Sequence, residues 1–134
     1  MSVQFNVSAA RANLLHADDY QHVREILSCV GDKWTFVILA ALRERCMRFN
    51  DLHRAIDGIS QRMLVVTLRH LERDGFVART VYPTVPPRVE YELSERGRSL
   101  RDVLQPVEAW TWENLPTIEE SRRRFDSQMR KRTE

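Results

Sequence analysis

Lysine is almost missing from this chain. Of 21 basic residues only Lys33 and Lys131 are lysines, and the rest are arginines. Glycine is scarce too, at four in 134 residues, and there are five prolines. So little of either excludes a collagen-like repeat and a long disordered stretch. Two cysteines, Cys29 and Cys46, cannot build a disulfide framework, so a reducing, cytoplasmic setting is expected. The longest apolar run, Phe36 to Leu42, falls far short of the ~20 residues of a membrane span. The opening MSVQFNVSAARANLL lacks a basic head followed by a solid apolar block, and no secretory leader is expected. His16, His22, His53 and His70 show no ligand spacing with the cysteines, which argues against a zinc site. There is no G-x-S-x-G elbow, no phosphate-cradling glycine loop and no carboxylate pair in an apolar context. Neither an enzyme activity nor a metal or cofactor is expected.

What is present is one domain's worth of chain, since domains commonly run to roughly 100–150 residues. It is too short for a barrel of about 250 residues. The formal charge of +2 hides an uneven distribution. Between Ser60 and Arg88 five basic residues face two acidic ones. Arginine's flat, forked donor set suits phosphates and guanine edges. A GC-rich genome would produce the same arginine excess, so composition leaves both accounts open and position has to decide.

Residues 1–19 show little periodicity and read as an N-terminal arm. Val23, Ile26, Leu27 and Val30 then fall on one face of a helix that Gly31 can end. Asp32 can cap a second helix, about Lys33 to Arg45, apolar nearly all round and therefore central. A short third helix, Phe49 to Ile56 with Asn50 as its expected cap, carries the stripe Phe49, Leu52 and Ile56. Asp57-Gly58 marks a tight turn. Ser60 caps a fourth helix, about Gln61 to Asp74, with Leu64, Leu68 and Leu71 inward and Gly75 as left-handed terminator. The period then switches. Phe76 to Tyr82 and Arg88 to Leu93 read as a hairpin whose connection is stiffened by Pro83, Pro86 and Pro87. Ser94 caps a further helix with Leu100, Val103, Leu104, Val107 and Trp110 on its inner face. Pro106 is expected to kink that helix and Pro116 to break it. Thr117 and Glu120 form a capping box for a last polar helix through Arg124 or beyond, and residues 126–134 read as a frayed basic tail.

This order predicts a mainly α fold with a small β-hairpin wing, a winged helix-turn-helix. In that arrangement the second helix of the pair enters the ~12 Å major groove, N-terminal end first. Gln61 and Arg62 lie at that end, with bidentate donors suited to adenine and guanine. Val65 and Val66 suit thymine methyl groups. Ser60, Arg69 and Arg73 suit phosphates. On the hairpin, Arg79 adds charge and Arg88 suits a minor groove. A plainer account stands beside each of these. Arg62, Arg69 and Arg73 also read as a solvated helix face, with Glu72 and Asp74 beside Arg73. Arg88 also reads as a partner of Glu90 or Glu92. Trp34, Trp110 and Trp112 read as core or interface packing rather than base-stacking platforms.

The residues Gly31-Asp32-Lys33-Trp34-Thr35, Arg48-Phe49-Asn50-Asp51-Leu52, Ile59-Ser60-Gln61-Arg62-Met63-Leu64 and Leu68 to Val77 form a recognisable series. With Arg79 to Tyr91, and above all its segment VPPRVEY, the chain resembles the HxlR family of bacterial winged helix-turn-helix transcriptional regulators. The resemblance spans about residues 21–125. It implies a homodimer that binds a pseudo-palindromic operator in double-stranded DNA, pairing through its N- and C-terminal helices. Residues 20–125 are then the domain with its dimerisation helices, and Val23, Leu27, Val107, Trp110, Trp112 and Leu115 are the candidate interface. Trp110, Trp112 and Leu115 also add more apolar area than so small a core needs. An unidentified small-molecule inducer is compatible with such a regulator, though no polar cluster points to its pocket. Redox-sensing members resemble one another in a reactive cysteine near the start of the first helix. Here Gln21 takes that place, so the thiol switch is not carried over. Cys29 reads as small core packing. Cys46, between Arg45 and Arg48, is the candidate redox residue, its pKa expected to be lowered by the nearby guanidiniums. The competing reading is a winged helix that docks on proteins and binds no DNA.

Overall fold

The computed structural model describes residues 18–133. In chain order its elements are α1 (Asp18–Val30), α2 (Lys33–Leu42), β1 (Met47–Arg48), α3 (Phe49–Ala55), α4 (Gln61–Arg73), β2 (Val77–Tyr82), β3 (Arg88–Leu93) and α5 (Glu95–Thr133). The winged helix-turn-helix expected from the order of elements is the architecture found. The N-terminal arm lies outside the described residues as far as residue 17, and Asp18 already opens α1.

Local chemistry explains most boundaries. The Asp32 carboxylate accepts from the amides of Trp34 at 2.8 Å and Thr35 at 3.3 Å, which starts α2. That helix stops at Leu42, short of the expected Arg45, because Arg43 takes a positive φ of 38°. The third helix starts at Phe49 rather than after Asn50. Arg48 holds the capping position without a side-chain bond. Ser60 Oγ accepts from Met63 N at 3.0 Å and starts α4. Gly75, at φ 79°, turns the chain out of that helix into β2.

The sheet has the order β1-β3-β2, antiparallel throughout, with Tyr82 opposite Arg88 and Arg48 opposite Glu90. A two-residue strand is too short to show alternation, so β1 escapes a sequence reading. The core joins Ile38, Leu39 and Leu42 of α2 to Leu52, Ile56, Leu64, Leu68 and Leu71. Phe76, Val77, Tyr91 and Leu93 close it from the wing's base. This cluster fixes α4 by one face and leaves the other free.

The last helix departs most from expectation. Neither Pro116 nor Pro106 ends it, and α5 runs unbroken for 39 residues, about 58 Å at 1.5 Å per residue. Thr117 opens no new helix. Its hydroxyl donates back to the Asn114 carbonyl at 2.9 Å, while Glu120 pairs with Arg124 at 2.7 Å. Each proline strands one carbonyl four residues earlier, at Asp102 and Trp112. Both residues are exposed, so water can satisfy those oxygens and the break is avoided. Arg130, Lys131 and Arg132, expected to fray, form the last turn of the helix. No described helix is long and apolar enough to cross a membrane.

One joint ties α5 to the end of α4. Ser94 Oγ donates to the Gly75 carbonyl and accepts from Gly97 N at 3.1 Å. Ser94 N donates to the Phe76 carbonyl at 3.1 Å, and Arg96 Nη1 donates to the Asp74 carbonyl at 2.8 Å. Gly97 is buried directly against the Phe76 carbonyl.

Candidate nucleic-acid interface

With about 100° of rotation per residue, α4 divides its side chains by face. Leu64, Thr67, Leu68 and Leu71 are buried on one side. Arg62, Val66, Arg69 and Arg73 fall on the opposite side, within a sector of roughly 60°. All four are exposed. Among the described residues neither these three arginines nor Arg79 pairs with a carboxylate. Gln61 and Val65 turn toward the wing. They border an open cleft of about 880 Å³ between α3, α4 and the hairpin, with Arg48, Arg54, Arg69, Arg79 and Arg88 around it. Only Asp51 and Glu72 bring negative charge to that cleft, and Asp51 is engaged by Arg54. A cleft in which arginines outnumber carboxylates focuses potential on an incoming polyanion. At the helix start, Ser60 Oγ accepts from Met63 N at 3.0 Å, and the other amides of the first turn have no partner within the helix.

Other expected residues are placed differently. Arg73 borders a smaller hollow with Glu25, Ile26, Cys29 and His70, on the α1 side of the helix and away from the wing. Arg88 does not stand at the hairpin tip. It begins β3 opposite Tyr82, its guanidinium carbon 4.3 Å above the Tyr82 ring, its Nε 3.3 Å from Glu90 Oε1. The tip belongs to Val85, wholly in solvent and flanked by Thr84 and Pro86. Arg48 and Tyr82 were missed as neighbours of the cleft and of Arg88. Their places depend on strand pairing, which no local pattern announces. Of the candidate interface residues, Val23, Leu27, Val107, Trp110 and Trp112 are large apolar side chains left exposed, and Leu115 is half-buried.

Cys46 overturns the expectation that arginines activate it. Its thiol donates to Glu90 Oε2 at 3.3 Å, while Arg45 Nε turns away to the Ala41 carbonyl. Loss of hydration, the Glu90 hydrogen bond and the charges of Glu90 and Glu92 push the thiol up to about 11, with Arg88 opposing weakly. The thiol form is therefore held below about pH 9, and any stability it lends is lost as the pH rises through about 11. From an ordinary 9.0, that shift cuts the thiolate fraction about a hundredfold. The greater nucleophilicity of a more basic thiolate recovers about tenfold. Alkylation of Cys46 by iodoacetamide at pH 8 is expected to run about tenfold slower than that of an unstructured cysteine. A rate equal to or above that reference, measured by mass spectrometry, would contradict the assignment.

Comparison with known proteins agrees with this geometry. The family model described as HxlR-like helix-turn-helix matches residues 29–119. The HTH-type transcriptional regulator YtfH of Escherichia coli is 44% identical over 95 residues, 71% of this chain and 75% of that protein. YtcD of Bacillus subtilis, named in the same way, is 48% identical over 88 residues, 66% of this chain and 70% of its own. Among solved structures, the ytfH regulator from Salmonella typhimurium superposes with a TM-score of 0.70 at 42% identity, covering 75% of this chain and 90% of that one. The reduced form of the redox regulator HypR gives 0.67 at 39% identity, covering 73% and 97%. With its helix-turn-helix, wing and matched span in agreement, the chain belongs to the HxlR-like helix-turn-helix family of transcriptional regulators.

Proposed function

We propose that this regulator reads double-stranded DNA in a sequence-specific way, as a homodimer on a pseudo-palindromic operator. The observation that carries the reading is the exposed row of guanidiniums on α4, unpaired among the described residues, beside a basic cleft. An unpaired arginine keeps its full fork for a base edge or phosphate and need not first break an ion pair. Gln61 and Arg62, at the leading end, read base edges, and Val65 and Val66 meet thymine methyl groups. Ser60, Arg69 and Arg79 hold the backbone, and Arg73 reaches a phosphate on the α1 side. Arg88 lines the cleft from the outer end of β3, beside the loop, rather than leading from the tip itself.

The dimer is supported by apolar surface that one copy leaves in water. Val23, Ile26 and Leu27 on α1, and Val103, Val107, Trp110 and Trp112 on α5, are all exposed. Aromatic surface of this kind is costly in a lone soluble chain and usual at subunit interfaces. Selection of bound duplexes from a random pool tests the whole reading. The expected outcome is an inverted repeat whose half-sites lie about 34 Å, one turn of duplex, apart. Enrichment of single, unsymmetric sites would refute the dimer, and no enrichment would refute sequence-specific reading.

A further inference from the structure

Glu90 lies on β3, the central strand of the sheet, between Thr80 of β2 and Arg48 of β1. Both of its oxygens are engaged. Oε1 faces Arg88 Nε at 3.3 Å, and Oε2 accepts from Cys46 Sγ at 3.3 Å. The carboxylate is thus also linked to the loop before β1. Arg88 in turn lies over the Tyr82 ring, its guanidinium carbon 4.3 Å from the ring centre. Its Nε is shut off from water and forms no well-aligned hydrogen bond, so Glu90 is the charge that compensates it. The side chain as a whole remains 36% exposed and borders the cleft between wing and α4.

We propose that Glu90 is a positioning residue for DNA reading, pinning Arg88 by its Nε edge so that the two Nη groups face the duplex. A guanidinium held on one edge loses less freedom on binding than a free one, and its remaining donors keep a fixed direction. The carboxylate also repels phosphates, so its net effect falls on selectivity rather than on bulk affinity. This inference rests on the DNA-reading proposal and adds to it a residue that never touches the nucleic acid.

The test compares one selected duplex with a random duplex of equal length, in the wild type and in Arg88→Ala, Arg88→Lys, Glu90→Gln and the double variant Arg88→Ala/Glu90→Gln. Glu90→Gln is expected to lower the specific-to-random affinity ratio about tenfold, the effect of losing one oriented arginine contact. Affinity for the random duplex should hold or rise. In the Arg88→Ala background the same change should do nothing further. Arg88→Lys, which keeps the charge but has no Nε edge to pin, should lose the ratio as Arg88→Ala does. That variant also keeps the question answerable if Glu90→Gln does not fold. Arg88→Ala with a wild-type ratio would remove Arg88 from DNA reading altogether, and this inference with it. A normal loss in Arg88→Ala beside an unchanged ratio in Glu90→Gln would overturn the positioning role alone. So would tighter specific binding by Glu90→Gln, which would make Glu90 a competitor of DNA. A wild-type ratio in Arg88→Lys would overturn it as well.

Discussion

Gly97→Ala is expected to destabilise the protein by about 3 kcal/mol, the upper range for forcing atoms into a packed site. In an open helix the same change adds stability, by roughly 0.5–1 kcal/mol. Here the added methyl would overlap the Phe76 carbonyl oxygen and press on Leu93 Cβ at 3.4 Å. Neither neighbour can yield easily. The Phe76 carbonyl already accepts from Ser94 N, and Leu93 is buried in the core. Relief requires moving α5 away from the base of the wing, which breaks the Ser94 and Arg96 bonds to the end of α4. Urea unfolding with a midpoint equal to or above that of the wild type would show that the packing at this joint is not as described.

Arg62→Ala is expected to weaken binding to the selected operator by roughly 1–3 kcal/mol and to flatten preference at one base pair. Arg62 stands one position into α4, exposed and unpaired, where a helix entering the major groove first meets base edges. Its neighbour on the same face, Arg69, provides the contrast. Two turns further along and bordering the cleft, Arg69 is assigned to a phosphate in the proposed reading, so Arg69→Ala should weaken all duplexes about equally and reduce the salt slope by about one. The pair separates base reading from charge attraction in one set of titrations. Uniform loss in Arg62→Ala, or an unaltered slope in Arg69→Ala, would reverse the respective roles.

Helix α4 was legible because its signals are local. Ser60 and Gly75 mark its ends, and the spacing of Leu64, Leu68 and Leu71 sets its buried face. Every side chain on the opposite face follows from that. Arg88 was legible only as two alternatives. Whether it leads from a tip or lies against Glu90 depends on hairpin register, which places Tyr82 across from it. Cys46 was misjudged for a similar reason. Arg45 and Arg48 are its neighbours in sequence, but Glu90, 44 residues away, sets its chemistry. Pro116 misled because a proline's cost depends on whether the stranded carbonyl meets water, and solvent exposure is decided by tertiary structure.

The joint at Ser94 has a mechanical consequence. Helix α4 and α5 share no extended packed face, yet short links of backbone and hydroxyl fasten their ends together. Those links therefore set the angle at which the long outer helix leaves the domain, and with it the direction in which Trp110 and Trp112 are presented.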